Sequence, residues 1–219
     1  MNPNKISFIV AVNNEIDFNK CSVHINKIIK PDNFEVEIIP IRNAISLTNA
    51  YNLGMNKSNG KYKVYLHQDV FIINPNFIND IINLFNLDIN IGLIGMCGAT
   101  SIPDNGIWWE SPRLVGKVYD SHTGNLSLLN FNNIDGEFEE VEGVDGLIMI
   151  TQYDIPWRED VFKGWHFYDL SQCMEFRKKG YKVVVPNQQV CWCIHDCGIV
   201  NVTNGYEENR ELFIETYKK

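Results

Sequence analysis

The run "KVYLHQDVFI" (residues 63–72) carries Val64, Leu66, Val70 and Ile72 for a sheet interior, yet His67, Gln68 and Asp69 interrupt it. Such side chains are out of place inside a core strand and in place at its end, where Asp and His can ligate a divalent cation such as Mn²⁺. Two more polar groups follow apolar runs. Asn13-Asn14-Glu15 closes the first of them, and "IHDCG" (residues 194–198) brings His195. An ion at such a place could neutralise a diphosphate, which an acidic chain cannot otherwise hold. The competing readings are plain: Asp69 begins a turn, and His195 is a satisfied, partly buried histidine. "CWCIHDC" also invites zinc, with Cys191, Cys193, His195 and Cys197 as ligands. On an extended strand alternate residues share a face at steps of about 6.6–7 Å, so the outer ligands lie too far apart for one ion. No paired Cys-x-x-Cys accompanies them, and buried strand cysteines are the simpler reading.

These groups need elements to position them. "ISFIVAV" (residues 6–12) suits a buried parallel strand running into a polar loop. A helix follows, capped by Asp17, with Val23, Ile25, Ile28 and Ile29 on its apolar face and Pro31-Asp32 as its stop. "FEVEIIPI" (34–41) is a second strand, and Leu47, Ala50, Tyr51 and Gly54 recur at helical spacing up to Asn59-Gly60. Residues 63–72 form the third strand, Asn74-Pro75 opens a helix to about Phe85, and "IGLIGMCG" (91–98) is the fourth strand. This alternation predicts a parallel αβα layer structure. Residues 99–135, rich in Gly, Asn, Ser and Trp, read as an inserted hairpin with mobile loops. Regularity returns at 138–151, in a helix bearing Leu170, Cys173 and Met174, in the strands "YKVVVP" and "QVCWCI", and in a terminal helix. With no repeat and no low-complexity linker, residues 1–219 read as one domain.

The 219 residues, 45% of them hydrophobic, suffice for a core without disulfide or metal staples. Nineteen basic against 27 acidic residues leave a net charge of −8, which argues against binding nucleic acid or anionic membrane. No signal peptide or transmembrane segment is visible, so a soluble cytoplasmic protein with six reduced cysteines is expected. Asn-x-Ser/Thr triplets such as Asn201-Val202-Thr203 carry little weight without a secretory signal. Neither Gly-x-Gly-x-x-Gly nor Gly-x-x-x-x-Gly-Lys-Ser/Thr occurs, which sets aside dinucleotide and P-loop chemistry. In open α/β sheets ligands bind at the carboxyl ends of strands, so the polar groups found there outrank the others.

The order "ISFIVAVNNE", "LTNAYNLGMNKSNGKYKVYLHQDVFI", "GVDGLIMI", "FKGWHFYDLSQCMEFRKKGYKVVV" and "IHDCG" resembles the GT-A glycosyltransferases, in a family-2-like branch of the streptomycin-biosynthesis type. The resemblance implies a GT-A αβα sandwich with a mainly parallel central sheet. It implies transfer of a sugar from a nucleoside-diphosphate donor, UDP-linked above all, to a hydroxyl acceptor with Mn²⁺ or Mg²⁺. The last carboxylate of the family's Asp-x-Asp signature falls on Asp69, and the first position is His67 here. His195 matches a late histidine of the metal site, and Asp169 in "HFYDL" matches the general base of inverting members. The first turn of a helix suits a carboxylate that must stay ionised until it takes its proton. On this reading Asn13, Asn14, Glu15, Arg42, His67 and Gln68 line the donor side, although the family's early Asp is missing where Arg42-Asn43 stands. Trp108, Trp109, Asp145, Trp165 and His166 shape the acceptor side. Each has a structural counterpart: Asp169 as a helix N-cap, Asp145 as a turn between glycines, the tryptophans as packing. The rival function is a catalytically silent sugar-nucleotide or glycan-binding module, to which the altered His67 position lends support. A nucleotidyltransferase would need a Gly-rich basic loop after the first strand, which is missing.

Overall fold

The computed structural model describes residues 1–200 and 203–219; Asn201 and Val202, the first two residues of the triplet noted above, lie outside it. Along the chain run β1 (Asn2–Val12), α1 (Glu15–Ile25), β2 (Glu35–Arg42), α2 (Leu47–Lys57), β3 (Gly60–His67), β4 (Val70–Ile72) and α3 (Phe77–Leu87). There follow β5 (Ile91–Gly95), β6 (Cys97–Ala99), β7 (Leu114–Asp120), β8 (Ser127–Asn130), β9 (Phe138–Glu140), β10 (Gly143–Val144) and β11 (Ile148–Thr151). The chain closes with α4 (Tyr168–Lys178), β12 (Lys182–Pro186), β13 (Cys193–His195) and α5 (Tyr206–Tyr217). No helix among the described residues is long and apolar enough to cross a membrane.

The central sheet has seven strands in the order β2-β1-β3-β11-β5-β12-β9. β2, β1, β3, β5 and β12 point one way; β11 and β9 run against them. The sheet is thus mainly parallel, but its middle strand is reversed, which an apolar run does not reveal because burial on both faces erases alternation. The reversal has a use: the residues entering β11 lie at the same sheet end as those leaving β3. Side chains alternate across the sheet. Ile6, Phe8, Val10, Val64 and Leu66 pack with Cys21 and Ile25 of α1 and with Phe77, Ile78, Ile81 and Phe85 of α3. Ile9, Tyr65, Met149 and Val183 pack on the other face with Leu47, Ala50 and Tyr51 of α2 and Cys173 and Phe176 of α4.

Gly54 shows how close α2 approaches β1. A Cβ there would stand 2.2 Å from Ile9 Cγ2, and Ile9 is fully buried and β-branched, so it cannot swing aside. Alanine gains about 1 kcal/mol of helix propensity over glycine. Overpacking costs about 1–3 kcal/mol, so Gly54→Ala is expected to lower the urea midpoint without changing the m-value.

Several expected elements differ. α1 is capped by Asn14, whose side chain accepts from Ile16 N, and not by Asp17, which lies inside the first turn. The third strand breaks at Gln68-Asp69 into β3 and β4, and the fourth breaks at Met96 into β5 and β6. The 99–135 segment is more than an inserted hairpin: β7 and β8 join β10, β6, β13 and β4 in a second, six-stranded sheet. Of "QVCWCI" only its last residues enter a strand, β13, which ends at His195. The six cysteines stand unpaired.

Candidate functional site

Asp69 occupies the turn between β3 and β4, and β13 pairs with β4 so that His195 sits opposite Val70. The Asp69 carbonyl accepts from Asp196 N at 2.9 Å, which ties the two loops together. Ligand atoms of His67, Asp69 and His195 all lie within 4.8 Å of one another. Asp69 Oδ1 is buried and makes no hydrogen bond; its nearest recorded partner is His195 Nε2 at 3.8 Å. A buried carboxylate oxygen left without a partner is costly, and this one faces two imidazoles. The residues therefore fit a divalent cation with mixed nitrogen and oxygen ligands.

His195 is oriented from behind. Its Nδ1 donates to Asp120 Oδ2 at 2.8 Å, while Asp120 Oδ1 accepts from the His122 amide at 2.7 Å. Burial, the largest single influence, lowers the His195 pKa, but the hydrogen bonds to Asp120 and Cys197 and the charges of Asp69 and Asp145 together outweigh it and raise the value well above the usual range. Burial likewise pushes Asp120 up, and the hydrogen bonds from His195 and His122 bring it down to about 2. A carboxylate behind a ligating imidazole fixes the ring and its tautomer. Nothing in the sequence marked Asp120; it lies at the end of β7, in the segment read as an insertion. Asp120→Asn is expected to weaken Mn²⁺ binding by about 10–100-fold, measured by isothermal titration. Cys197 gathers with Asp120 and His195 as a second group of potential ligands, without Cys191 or Cys193. Asp120's oxygens are already committed there, so the first group is the better cation site.

Two pockets meet at these residues. The larger, about 540 Å³, is lined by Asn13, Ile41, Asn43, Ala44, His67, Gln68, Asp69 and Trp165 among others. The second, about 280 Å³, contains Trp108, Trp109, Asp145, His166, Tyr168, Asp169, His195 and Tyr206, and shares His67, Asp69 and Trp165 with the first. No lysine or arginine lines either pocket among the described residues. Gln68 Oε1 accepts from the Asn13 and Asn14 amides at 2.9 Å each, which pins the end of β1 to the turn holding Asp69. The structure does not bring the whole expected donor set to the wall. Arg42 forms a two-pronged pair with Glu15 at 2.6 and 3.0 Å and stacks over Phe18, Asn14 caps α1, and none of the three lines either pocket.

Asp169 is not the N-cap of α4. That position is Phe167, held at φ 60°, a left-handed conformation unusual for a bulky residue. Packing against Phe213 and Tyr206 keeps it there. The kink delivers Tyr168 and Asp169 to the pocket. Tyr168 OH lies 2.6 Å from His67 Nε2, and Asp169 Oδ2 accepts from Gly146 N at 3.1 Å. Burial, then the neighbouring Asp145 charge, pushes the Asp169 carboxyl up to about 7 against the backbone hydrogen bonds that lower it. Asp145 itself enters from the start of the reversed β11 and accepts from Leu147 N at 3.0 Å, so it both forms the turn and lines the pocket. Burial lowers the His67 pKa, the Asp69 charge opposes it and the His195 charge adds to it, and the net shift is downward. A neutral imidazole is the form that ligates metal.

A mainly parallel sheet with helices on both faces, carrying carboxylates and imidazoles at its strand ends, defines the class of the fold, and comparison with known proteins gives the family. Residues 7–217 match the model of the family described as "Glycosyltransferase like family", and the chain belongs to it, among glycosyltransferase-type enzymes. The fold is GT-A. The structure is similar to TarS 1-349 of S. aureus (TM-score 0.59, 11% identity, 96% of this chain and 65% of that one). It is similar to GalNAc-T7, solved with UDP, GalNAc and Mn²⁺ (TM-score 0.60, 11% identity, 89% and 43%). It is also similar to the mannosyltransferase PcManGT of Pyrobaculum calidifontis, solved with GDP-Man and Mn²⁺ (TM-score 0.59, 10% identity, 100% and 65%). The chain spans 43–65% of the length of these three. No curated protein matches the sequence.

Proposed function

We propose that this protein is a metal-dependent, hexosyltransferase-like enzyme that moves a sugar from a nucleoside-diphosphate donor, UDP-linked above all, to an acceptor hydroxyl with inversion. The observation that carries the reading is the unpartnered, buried Asp69 oxygen facing His67 and His195 where the two pockets join. Asp69 and His195, with His67 beside them, would hold Mn²⁺ or Mg²⁺. When bound, the ion supplies Lewis-acid stabilisation to the diphosphate as its negative charge develops.

Asn13 and Gln68 would border the nucleotide. Asp169 lines only the pocket that is rich in tryptophan, which supports a role on the acceptor. There it would take the hydroxyl proton as that oxygen attacks the anomeric carbon and the bond to the diphosphate breaks, in a single displacement. A carboxyl with a pKa near 7 suits this task, since a base works best when its pKa lies near the working pH. We assign the chain to the streptomycin-biosynthesis-type branch on the quoted motifs. We place it in the cytoplasm on its six unpaired thiols.

The test is thermal unfolding with UDP and with GDP, each with and without Mn²⁺. A rise in Tm that needs nucleotide and metal together is expected. A panel of nucleoside diphosphates that leaves Tm unmoved in the presence of Mn²⁺ would overturn the donor class.

A further inference from the structure

Resting on the glycosyltransferase reading above, we propose that the acceptor is an uncharged pyranoside held ring-face against Trp109 and Tyr206. The same pocket turns away acceptors that bear phosphate, sulfate or carboxylate groups.

The first support is the aromatic wall. Trp108 and Trp109 form a 3₁₀ turn (Trp108–Glu110) and meet edge to face, with ring centroids 6.0 Å apart. Trp109 lies 5.7 Å from the ring of Tyr206, which α5 brings in from the far end of the chain. His166 and Phe167 back Tyr206 at 5.4 and 5.1 Å. Despite these neighbours Trp109 remains 48% exposed. An indole fixed by other rings and left open to a pocket is a surface waiting for an apolar partner. A pyranose offers one: its C–H face can be buried on the ring while its rim of hydroxyls stays hydrated or hydrogen-bonded.

The second support is charge. Asp69, Asp145 and Asp169 line this pocket, and no lysine or arginine does so among the described residues. Arg210, one turn beyond Tyr206 on α5, is engaged by Glu207 and by the Asn105 carbonyl. An anionic group would have to shed water beside carboxylates with no lysine or arginine to receive it, and His195 in the same lining is already bonded to Asp120, so the transfer is unfavourable on both counts. The donor diphosphate escapes this penalty only through the cation site; a second anion in the acceptor pocket has no such site.

The test uses the protein with Mn²⁺ and a panel of UDP- and GDP-hexoses. Methyl hexopyranosides are compared with their 6-phosphates and with the corresponding uronic acids. A neutral glycoside is expected to accept sugar, and its anionic counterparts to fall at least tenfold in kcat/KM. Trp109→Ala and Tyr206→Ala are expected to raise acceptor KM tenfold or more while donor KM moves less than twofold; Trp109→Phe restores most of the loss. Donor hydrolysis without use of any neutral glycoside overturns the proposal. So does an anionic acceptor used as well as its neutral parent, or an acceptor KM indifferent to Trp109→Ala. In those cases donor binding and hydrolysis persist, so the glycosyltransferase reading stands. If instead neither UDP nor GDP binds with Mn²⁺ and no donor is hydrolysed, that reading falls, and this one with it.

Discussion

Asp69→Ala is expected to abolish the Mn²⁺ response of nucleotide binding and to reduce kcat/KM by about 10²–10³-fold, the scale on which loss of electrostatic stabilisation at a leaving group is felt. Stability separates this from a structural role. If Asp69 served only its turn, alanine would lower Tm. Its Oδ1 is buried without a hydrogen bond, and an unsatisfied buried polar atom costs about 1–3 kcal/mol, so its removal should leave the metal-free Tm equal or higher. The parent protein should gain Tm with Mn²⁺ and UDP together; the variant should not. Isothermal titration and differential scanning calorimetry read both quantities. An Asp69→Ala protein with lower metal-free Tm and undiminished Mn²⁺-dependent turnover would falsify the ligand role.

Asp169→Asn is the second large effect. Loss of a general base costs about 10²–10⁴ in rate, so kcat should fall in that range while donor affinity changes little. The pH dependence gives a sharper signature. The carboxyl moves from 3.8 up to about 7 on folding, chiefly through burial. Because the folded carboxyl holds its proton more tightly than the unfolded one, its contribution to stability is fully present below pH 3.8, declines as pH rises from there, and is gone once pH passes about 7. Activity runs the other way, because the base must be ionised: the acid limb of kcat/KM is expected near pH 7, about tenfold per unit below it. Asparagine removes the limb and the buried charge together, so the variant should be slower but more thermostable at pH 8. A variant that keeps the limb near pH 7 would transfer the titration to another group and remove Asp169 from the role.

The long, locally consistent segments were legible in the sequence. β1, β2, β3, α2 and α4 follow from apolar runs and helical spacing, and the carboxyl-end rule pointed to His67, Gln68 and Asp69 before any geometry was known. What stayed hidden has physical reasons. β10 has two residues and β4, β6 and β13 three each, too short for a period to register, and they exist through non-local pairing in the second sheet. Asp120 and Tyr206 reach the site through that pairing and through α5, contacts that no local pattern encodes. Arg42 shows the opposite failure. The expected strand stops at residue 41, whereas Arg42 is the last residue of β2, and its partner is Glu15, not a ligand pocket.

The absence of lysine and arginine from the pocket linings, among the described residues, also governs how fast a donor arrives. A chain of net charge −8 repels an anionic nucleotide at long range, and no lysine or arginine among the described residues of the pocket linings offsets this. Salt screens that repulsion over a Debye length of about 8 Å at 0.15 M. Most proteins that bind polyanions lose affinity as ionic strength rises. Here the encounter rate with an anionic nucleotide should instead increase from low to physiological salt.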